Sequence, residues 1–388
     1  MNLLLVWHAG GISSYTKRVE ELSRNFHQVL LIIPEEWKEG GKVIKGSYAK
    51  ISDNCEIKTI KTYLNIHAST YLFNMKKLNQ YVKDFKPNII HIHEEPWCLS
   101  AYQVIFSTRL LKNPHIIIDS AVINDKKKPI PFNLIEKKVY KNSSLFFARN
   151  QKVKESLEAR GCISPIYLLP NGVDTELFKE IDYKSNKLKD TELSAFINES
   201  MVLAYVGRMI EEKGIYDFVQ AAKILVNKYK VDCKFVMIGS GDELSEIKDL
   251  IAELEMEEHF YVNDKISSST VPDLMNLINI LVLPSRTQSN WEEQFGRVLV
   301  EAMCCRKVVI GSSSGAIPDV ISNDNCIFKE GEEEELAFIA NRLIKDSDLY
   351  KSIADDNYHK AVNAYSWRYL AEYYKTTLSK EGIDDHIH

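Results

Sequence analysis

The stretch Ile280-Leu-Val-Leu-Pro-Ser-Arg286, continued after a short loop by Glu293-Gln-Phe-Gly-Arg-Val-Leu-Val-Glu301, contains the pattern on which the fold prediction rests. Its first four residues form an uninterrupted apolar run, which is typical of a strand buried on both faces. A polar loop follows, and a helical pattern begins near Phe295 and Gly296. A buried strand that leads through a loop into a helix is the unit from which parallel α/β sheets are built.

The same unit recurs in both directions, because short apolar runs alternate with amphipathic stretches along the chain. This alternation predicts an α/β fold of parallel sheets covered by helices on both faces. The predicted strands are Leu3–Trp7, Val29–Ile33, Ile89–His93, Ile116–Ile118, Leu145–Ala148, Ile166–Leu169, Val202–Val206, Phe235–Ile238, Ile280–Leu283 and Val308–Ile310. The predicted helices include Ile12–Asn25, Met75–Phe85, Gly214–Lys228, Glu243–Leu254, Leu336–Lys345 and the amphipathic stretch Trp367–Ser379.

The chain, at 388 residues, is too long for one ordinary core, and so many strands would be awkward in a single open sheet. The polar stretch Lys179–Glu199 is the most obvious break in composition, and the Asn171-Gly172 turn before it is a candidate hinge. We therefore predict two doubly wound Rossmann-like domains, residues 1–170 and 171–365, that face a cleft. The last helix, within residues 366–388, is predicted to cross back to the first domain.

The bulk composition argues against several classes of protein. A net charge of -5 disfavours general nucleic-acid binding, which needs a basic surface. None of the seven cysteines has the C-x-x-C spacing of a zinc or redox site, so we interpret them as reduced core thiols. No apolar run reaches the length of a membrane span, and no signal-peptide pattern is present, which favours a cytoplasmic protein.

Two carboxylates bracket the start of the helix in the opening stretch. The backbone N–H groups of Phe295, Gly296 and Arg297 form a natural anion site at a helix start, and Gly296 permits close approach of a ligand. Glu301 lies within the apolar run of the helix, where a carboxylate is costly unless a donor reaches it. Ribose hydroxyls would satisfy Glu301, and sugar hydroxyls would satisfy Glu293. Glu301 alone fits an ordinary amphipathic helix, but the whole segment favours a ligand site.

A second candidate site, Gly207-Arg-Met-Ile-Glu-Glu-Lys-Gly214, follows the predicted strand Val202–Val206. Arg208 supplies a fork of donors and Lys213 a point charge, which is the combination that suits a diphosphate. Two surface cations at a strand–helix turn are the commoner situation when such a segment occurs alone. Its presence together with the glutamate segment favours the functional interpretation.

Two further strand–helix turns carry paired glycines. Gly239 and Gly241 lack the third glycine of a dinucleotide fingerprint, so a tight turn and a nucleotide contact are about equally supported. Gly10 and Gly11 follow the first strand, and the same two interpretations apply there: a tight turn, or close approach of the backbone to a ligand.

His91 and His93 alternate along a predicted strand and therefore face the same side, with His93 nearer the carboxyl end, where ligands usually bind. A histidine on an apolar strand is more often a hydrogen-bonded core residue than a catalyst, and we interpret His91 in this way. Glu94 and Glu95 either meet an acceptor or are solvated loop charges.

Together these motifs resemble those of the retaining glycosyltransferases of family four, which have the GT-B fold. The segment Glu293–Glu301 is similar to the E-x7-E signature of that family, and Gly207–Gly214 is similar to its G-R-x4-K-G element. Pro170-Asn-Gly-Val-Asp174 resembles the family's domain junction. The resemblance is dense in the second domain and thin in the first, where it begins at Gly10-Gly11.

The resemblance implies catalytic roles for four residues. Arg208 and Lys213 would neutralise the leaving nucleoside diphosphate. Glu293 would touch the transferred sugar, and His93 would lie close to it. Residues 1–170 would form the acceptor side of the enzyme and residues 171–365 the donor side.

The remaining matched residues would bind the donor. Backbone amides after Glu293 would hold the sugar and diphosphate, Glu301 would bind the ribose, and the glycine turns would lie near the diphosphate or nucleotide. The donor-binding set is Gly10, Gly11, Gly239, Gly241, Ile266, Phe295, Gly296, Arg297, Val298 and Glu301.

The implied activity is transfer of a hexose or N-acetylhexosamine from a nucleotide-diphosphate sugar, with retention, in synthesis of a cell-surface polysaccharide or glycoconjugate. A UDP-sugar is the default donor and GDP-mannose the rival, while the glycan or lipid-linked acceptor is open. No D-x-D motif or histidine–carboxylate cluster is in position to hold a divalent ion, so no metal is expected. A nucleotide-sugar epimerase and a non-catalytic nucleotide-sugar binder on the same fold are the alternatives.

The segment Asp125-Lys-Lys-Lys128 is a short basic element of the first domain. Relatives that modify lipid-linked substrates dock such patches on membranes, which would give peripheral contact with the inner membrane face. A solvated loop is the commoner explanation for three lysines.

Overall fold

The architecture was obtained as a computed structural model. It describes residues 1–39, 42–47, 49–65, 69–123, 128–188, 191–264, 267–289 and 291–383. The chain divides into two compact units, the first of which contains Met1–Pro170 and the segment that begins at Trp367. The second unit is Asn171–Ser366.

The described part of the first unit contains one large sheet, in the order β12-β11-β10-β9-β1-β2-β6-β5, and two small hairpins, β3-β4 and β7-β8. All neighbours in the large sheet are parallel except β5 and β6. The strands are β1 Asn2–Val6, β2 Gln28–Pro34, β3 Glu36–Glu39, β4 Lys42–Lys45, β5 Ala49–Ser52, β6 Cys55–Ile60, β7 Thr62–Tyr63, β8 Leu72–Phe73, β9 Ile89–Ile92, β10 His115–Ser120, β11 Leu145–Ala148 and β12 Ile166–Leu168.

The second unit contains a parallel sheet in the order β15-β14-β13-β16-β17-β18. Counted from the start of the unit this is the order 3-2-1-4-5-6 of the dinucleotide-binding Rossmann fold. The strands are β13 Met201–Val206, β14 Cys233–Ile238, β15 Phe260–Asn263, β16 Ile280–Leu283, β17 Val308–Ser312 and β18 Ile327–Phe328.

Helices cover both sheets and supply the apolar side chains that bury them. The last helix belongs to the first unit, where Trp367, Leu370 and Tyr374 pack into the same core as Leu3 and Leu31. The helices are α1 Ser13–Ser23, α2 Met75–Phe85, α3 Leu99–Ser107, α4 Phe132–Asn142, α5 Gln151–Ala159, α6 Glu192–Ile197, α7 Ile215–Asn227, α8 Leu244–Glu253, α9 Val271–Leu277, α10 Arg297–Cys304, α11 Ile317–Ile321, α12 Glu333–Lys345, α13 Ser347–Lys360 and α14 Trp367–Lys380.

The strand order determines which loops meet. In the second sheet the order reverses between β13 and β16, and the crevice outside the carboxyl ends of two such strands is where ligands bind in open α/β sheets. The loop with Arg208 and Lys213 follows β13, and the loop with Glu293 follows β16. In the first sheet the reversal lies between β1 and β9, which lead into the Gly10-Gly11 turn and into His93.

The predicted α/β class and every predicted strand are present, with ends that differ from the prediction by at most two residues. The interpretation of Lys179–Glu199 as the break between domains is wrong, because this stretch lies inside the second unit. Its helix α6 buries Leu193 and Ile197 in that unit's core, so the polar composition reflects only the exposed face. The prediction also missed β6, whose alternating pattern is half polar because the strand lies near the sheet edge.

The seven cysteines are all free and buried, as packing residues would be. Among the described helices none is both long and apolar enough to cross a bilayer.

Candidate functional site

Lys213 and Glu293 form an ion pair, with Nζ 2.5 Å from Oε2. The two residues are 80 positions apart in the sequence, and the topology of the second sheet brings them together. Glu293 is only 9% exposed, so its charge is largely removed from solvent. A cation and a carboxylate thus face each other at the point where the strand order reverses.

The Glu293 carboxylate accepts from two further donors. Ser285 Oγ donates to Oε2 over 3.1 Å, and the backbone N–H of Gly296 donates to Oε1 over 3.2 Å. Gly296 has a φ of 74° and caps α10. At the start of this helix the protein's own carboxylate therefore binds the Gly296 amide, one of the three amides of the predicted anion site.

Two contacts hold the loops after β13 and β16 against each other. Arg286 makes an ion pair with Asp217 of α7, and its backbone N–H donates to the Glu212 carbonyl over 2.9 Å. Gly214 has a φ of 64°, and a Cβ atom there would lie 1.8 Å from the Pro284 carbonyl oxygen. Only glycine fits this position, because both the backbone conformation and the available space exclude a side chain.

Trp291 lies beside the ion pair, with the Lys213 ammonium 4.7 Å from its ring centroid. An ammonium over an indole face is attracted by the ring quadrupole. A short antiparallel bridge to Gln288 fixes the backbone of Trp291. Neither Ser285 nor Trp291 was predicted as a site residue. Their only sequence signal was their position: Ser285 lies just after a buried strand, and Trp291 lies two residues before Glu293.

Glu301 lies on α10, about one helical turn after Arg297, and the Arg297 Nε is 3.0 Å from the Glu301 Oε1. Burial raises the pKa of Glu301 to about 7, and Arg297 opposes this shift. The charge of Arg297 therefore offsets part of the free-energy cost expected for a carboxylate in an apolar helix. Phe295 is buried against Tyr365, and Val298 packs on the core, so their side chains point away from solvent.

Arg208 is exposed, and within the described residues it pairs with neither Glu293 nor Glu301. The Arg208 carbonyl accepts a hydrogen bond from the buried Tyr205 hydroxyl over 2.5 Å, which fixes the backbone of the turn. The structure therefore brings together Lys213 and Glu293 among the predicted catalytic residues of this unit.

The glycines after β14 have a packing explanation. A Cβ atom on Gly239 would lie 1.7 Å from the Gly207 carbonyl oxygen, and one on Gly241 would lie 2.1 Å from that of Met209. The close approach of these two strand–helix turns to each other thus requires both glycines. Ile266 lies outside the described residues, as do residues 125–127 of the basic element of the first unit.

In the first unit, Gly10 and Gly11 form a 3-10 turn with His8 and Ala9. A Cβ atom on Gly10 would lie 3.1 Å from Leu31, and one on Gly11 would lie 2.7 Å from Ile33. The turn packs directly on β2, which supports the tight-turn interpretation. The N–H of Gly10 donates to the Trp7 carbonyl within the turn.

Glu94 anchors this turn to the end of β9. Its Oε1 accepts from the backbone N–H of His8 over 2.9 Å and from the Tyr71 hydroxyl over 2.8 Å. Glu95 accepts from Ser120 Oγ and from the backbone of the loop after β10, and burial raises its pKa to about 7. The interpretation of both glutamates as solvated loop charges is therefore wrong.

His93 is 8% exposed and stacks on Trp7 with ring centroids 4.2 Å apart. Arg149 Nη2 is 3.1 Å from its Nε2, and Asp119 Oδ2 is 3.4 Å from its Nδ1. His91 is fully buried and stacks on Tyr374 of α14. Its structural role is supported by this packing, but neither ring nitrogen has a hydrogen-bond partner within the described residues.

A position that the sequence did not indicate is Gly315, which supports the backbone of Glu293. A Cβ atom on Gly315 would lie 2.1 Å from the Glu293 carbonyl oxygen, and its φ is 53°. Gly161 has a φ of 92° but nothing within 4 Å, so it isolates the effect of the backbone conformation.

We expect Gly315→Ala to destabilise the second unit by about 2–5 kcal/mol, the sum of left-handed strain and overpacking. Gly161→Ala should cost only about 1–2 kcal/mol from strain. Thermal unfolding midpoints of the two variants and the parent measure the difference. Equal losses in both variants would show that the contact with Glu293 is unimportant.

Comparisons with known proteins bear on both units. Residues 9–177 match the family model described as Glycosyltransferase Family 4, and residues 188–360 match the one described as Glycosyl transferases group 1. Anabaena HepE, solved in complex with UDP and with UDP-glucose, has a similar fold. For the UDP complex the TM-score is 0.73 at 17% identity, over 98% of this chain and 100% of HepE.

Two curated relatives are similar over shorter regions. The capsular polysaccharide biosynthesis glycosyltransferase CapM of Staphylococcus aureus is 29% identical over 222 residues, which is 54% of each chain. The N-acetyl-alpha-D-glucosaminyl L-malate synthase of Bacillus anthracis is 28% identical over 193 residues, which is 49% of this chain and 48% of the relative. The chain thus spans about half the length of the curated relatives it matches.

The two family matches fall on the two units, the motifs of that family lie at the switch point of the second sheet, and both sheets have the doubly wound order. The chain therefore belongs to the family four, group 1 glycosyltransferases, which have the GT-B fold.

Proposed function

We propose that the protein transfers a hexose or N-acetylhexosamine from a nucleotide-diphosphate sugar to a glycan or lipid-linked acceptor, with retention and without a metal. The observation that carries the proposal is the Lys213–Glu293 pair at the switch point of the second sheet. Such transfer needs fixed positive charge at the departing diphosphate and groups that orient the sugar. The pair supplies one group of each kind.

On this proposal the donor displaces the internal contacts of the site. Lys213 and Arg208 bind the diphosphate, and the amides of Phe295, Gly296, Arg297 and Val298 hold the diphosphate and sugar. Glu293 and His93 orient the transferred sugar, and Glu301 accepts from the ribose hydroxyls. The turns at Gly10-Gly11 and Gly239–Gly241 lie along the diphosphate and nucleotide, where packing keeps their backbones rigid.

A UDP-sugar is the first donor to test, because HepE was solved with UDP and UDP-glucose. The similarity to CapM supports cell-surface polysaccharide synthesis as the setting. Retention follows from the family assignment and is tested by the anomeric configuration of the product. Unchanged turnover in excess chelator tests metal independence.

The proposal is tested first by thermal shift with UDP, GDP, ADP and their common sugar derivatives. A ligand at about 100 times its Kd stabilises by about 2.7 kcal/mol, which moves the midpoint by roughly 5–10 °C. The sugar nucleotide that binds is then tested for hydrolysis and for transfer to candidate acceptors. Absence of any nucleotide shift would overturn the proposal.

The same assays separate the alternatives. Binding without hydrolysis or transfer over long incubation, with every acceptor tried, would indicate a nucleotide-sugar binder. Conversion of the bound sugar nucleotide into an epimer without an acceptor would indicate an epimerase. Hydrolysis that depends on Glu293 is the result expected for a transferase.

The raised pKa of Glu301 predicts a pH-dependent affinity for UDP. Below pH 7 the carboxyl group is largely protonated and is a poorer acceptor for two ribose hydroxyls. Affinity should therefore rise from pH 6 to pH 8, by roughly two- to fivefold for a shift of half to one pKa unit on binding. Calorimetric titration measures this change.

Glu301→Gln is the control, because the amide does not titrate while the phosphate of UDP titrates equally with both proteins. The extra pH dependence should be absent in this variant. If parent and variant show the same slope, Glu301 does not contact the ribose.

A further inference from the structure

A buried charged cluster in the first unit lies where β9, β10 and β11 end. His93 follows β9, Asp119 is near the end of β10, and Arg149 follows β11. Arg18 of α1 completes the cluster, and all four residues are less than a tenth exposed. Since the carboxyl ends of parallel strands are where α/β proteins bind ligands, the cluster is positioned to act on a site.

Asp119 is the common partner of the two arginines. Arg18 Nη2 donates to its Oδ2 over 2.6 Å, and Arg149 Nη2 donates to its Oδ1 over 3.2 Å. Arg18 also lies over the rings of Trp7 and Trp367, which ties α14 to this region. Two guanidinium groups thus share one carboxylate, and the cluster carries an excess of positive charge.

The contact between Arg149 and His93 fixes the protonation of the imidazole. Arg149 Nη2 lies 3.1 Å from His93 Nε2, and a guanidinium group can only donate. His93 Nε2 must therefore present its lone pair. A neutral ring with its lone pair on Nε2 carries its proton on Nδ1, which lies 3.4 Å from Asp119 Oδ2, an electrostatic contact without the geometry of a hydrogen bond.

We propose that Arg149 is a positioning residue that holds His93 as a neutral imidazole with its proton on Nδ1, and that Asp119 completes this arrangement. The stacking of Trp7 on the ring then fixes its plane. The functional consequence rests on the proposed function: His93 meets the sugar as a neutral group of fixed orientation, and it does not exchange a proton during transfer.

The surroundings of His93 favour the same state. Burial lowers the pKa of His93 well below its ordinary value, and Arg18 and Arg149 lower it further while Asp119 opposes them. Burial alone would raise the pKa of Asp119, but the charges of the two guanidinium groups oppose burial and keep the carboxyl group ionised. The other titratable groups around the cluster are His91 on β9, Glu95 after it, Tyr15 on α1 and Tyr374 on α14.

The test uses the full chain labelled with 15N at histidine. His93→Gln identifies the resonances of His93 by their loss. In the parent protein we expect the Nδ1 nitrogen to be bonded to a proton and Nε2 to be bare, with no change between pH 6 and pH 8. A proton on Nε2, or titration of His93 within this range, would overturn the inference without any variant of the cluster.

A variant series tests the role of Arg149. Arg149→Leu should allow His93 to titrate or to move its proton to Nε2, whereas Arg149→Lys should restore part of the parent state because it returns a donor and a charge. Arg24→Leu, which removes an exposed arginine paired with Glu20, is the control and should leave the spectrum unchanged. If Arg149→Leu also leaves the His93 resonances unchanged, Arg149 does not position the ring.

The activity readout separates this inference from the proposed function. If the parent hydrolyses its sugar nucleotide, Arg149→Leu should lower kcat by about tenfold or more with the nucleotide Kd unchanged. The activity that remains should depend on pH between pH 6 and pH 8, because His93 can then titrate. A parent without nucleotide binding would remove the proposed function and leave the 15N result intact. Normal turnover in Arg149→Leu would remove the positioning role and leave the proposed function intact.

Discussion

Lys213→Ala is expected to lower kcat for turnover of the sugar nucleotide by about 100- to 1,000-fold, the usual cost of removing one preorganised charge from a transition state that gains charge. The departing diphosphate becomes more negative as the bond to the sugar breaks, so the lost ammonium matters most at that point. Affinity for UDP should fall as well, but by less than kcat. Arg208→Ala is expected to act in the same direction.

Two controls make the Lys213 result interpretable. Among the described residues, removal of Lys213 leaves Ser285 and the Gly296 amide as the donors to the Glu293 carboxylate, so the thermal midpoint of the variant must be measured. Lys228→Ala removes an exposed lysine of the same unit that pairs with Glu334, and it should leave turnover unchanged. Full activity in Lys213→Ala, in a folded protein, would refute the diphosphate assignment.

Glu293→Gln is expected to separate binding from turnover. The amide keeps the size of the side chain and can still accept from Gly296 and Ser285, but it no longer holds the Lys213 ammonium in an ion pair. Because the diphosphate then competes with no internal anion, UDP should bind about two- to fivefold more tightly, which corresponds to about 0.5–1 kcal/mol of binding free energy.

Turnover of the same variant should fall by about 100-fold or more, since the negative charge that orients the sugar and faces the developing positive charge on it is lost. Glu292→Gln changes the neighbouring carboxylate and serves as the matched control for both measurements. Weaker UDP binding in Glu293→Gln would contradict the idea that Glu293 occupies the anion site when the donor is absent. Unchanged turnover would remove Glu293 from the reaction.

The large features were predictable because they depend on local patterns. Buried parallel strands are continuous apolar runs, so β11 and β16 were predicted with their observed ends. The edge of the first sheet was missed because half of the residues of β6 are only partly buried and the strand alternates in polarity. The interpretation of Lys179–Glu199 as the break between domains was wrong because composition reports exposure to solvent and not which core a helix joins.

Within the site, the sequence indicated the residue types but not their partners. Spacing alone placed Glu293 before a helix start and Lys213 after a strand, and the family resemblance gave each a role. The neighbours Ser285, Trp291 and Gly315 carried no such signal, since a serine after a strand or a glycine in a turn is common everywhere. Their contribution depends on contacts between residues that are distant in sequence, and even Ser285 is 8 positions from Glu293.

By itself the sequence determined the α/β class, the two Rossmann-like domains and the family. Strand and helix periodicity and short motifs are each contained in a short stretch of sequence, so they can be recognised without the tertiary structure. Only the tertiary structure decided that Lys213 is held by Glu293, that Gly239 and Gly241 are required by packing, and that Arg149 and Asp119 surround His93. The physical reason is that strand order sets which loops become neighbours. Neighbouring charges and burial then set the protonation and pairing of each side chain, and neither quantity is local in sequence.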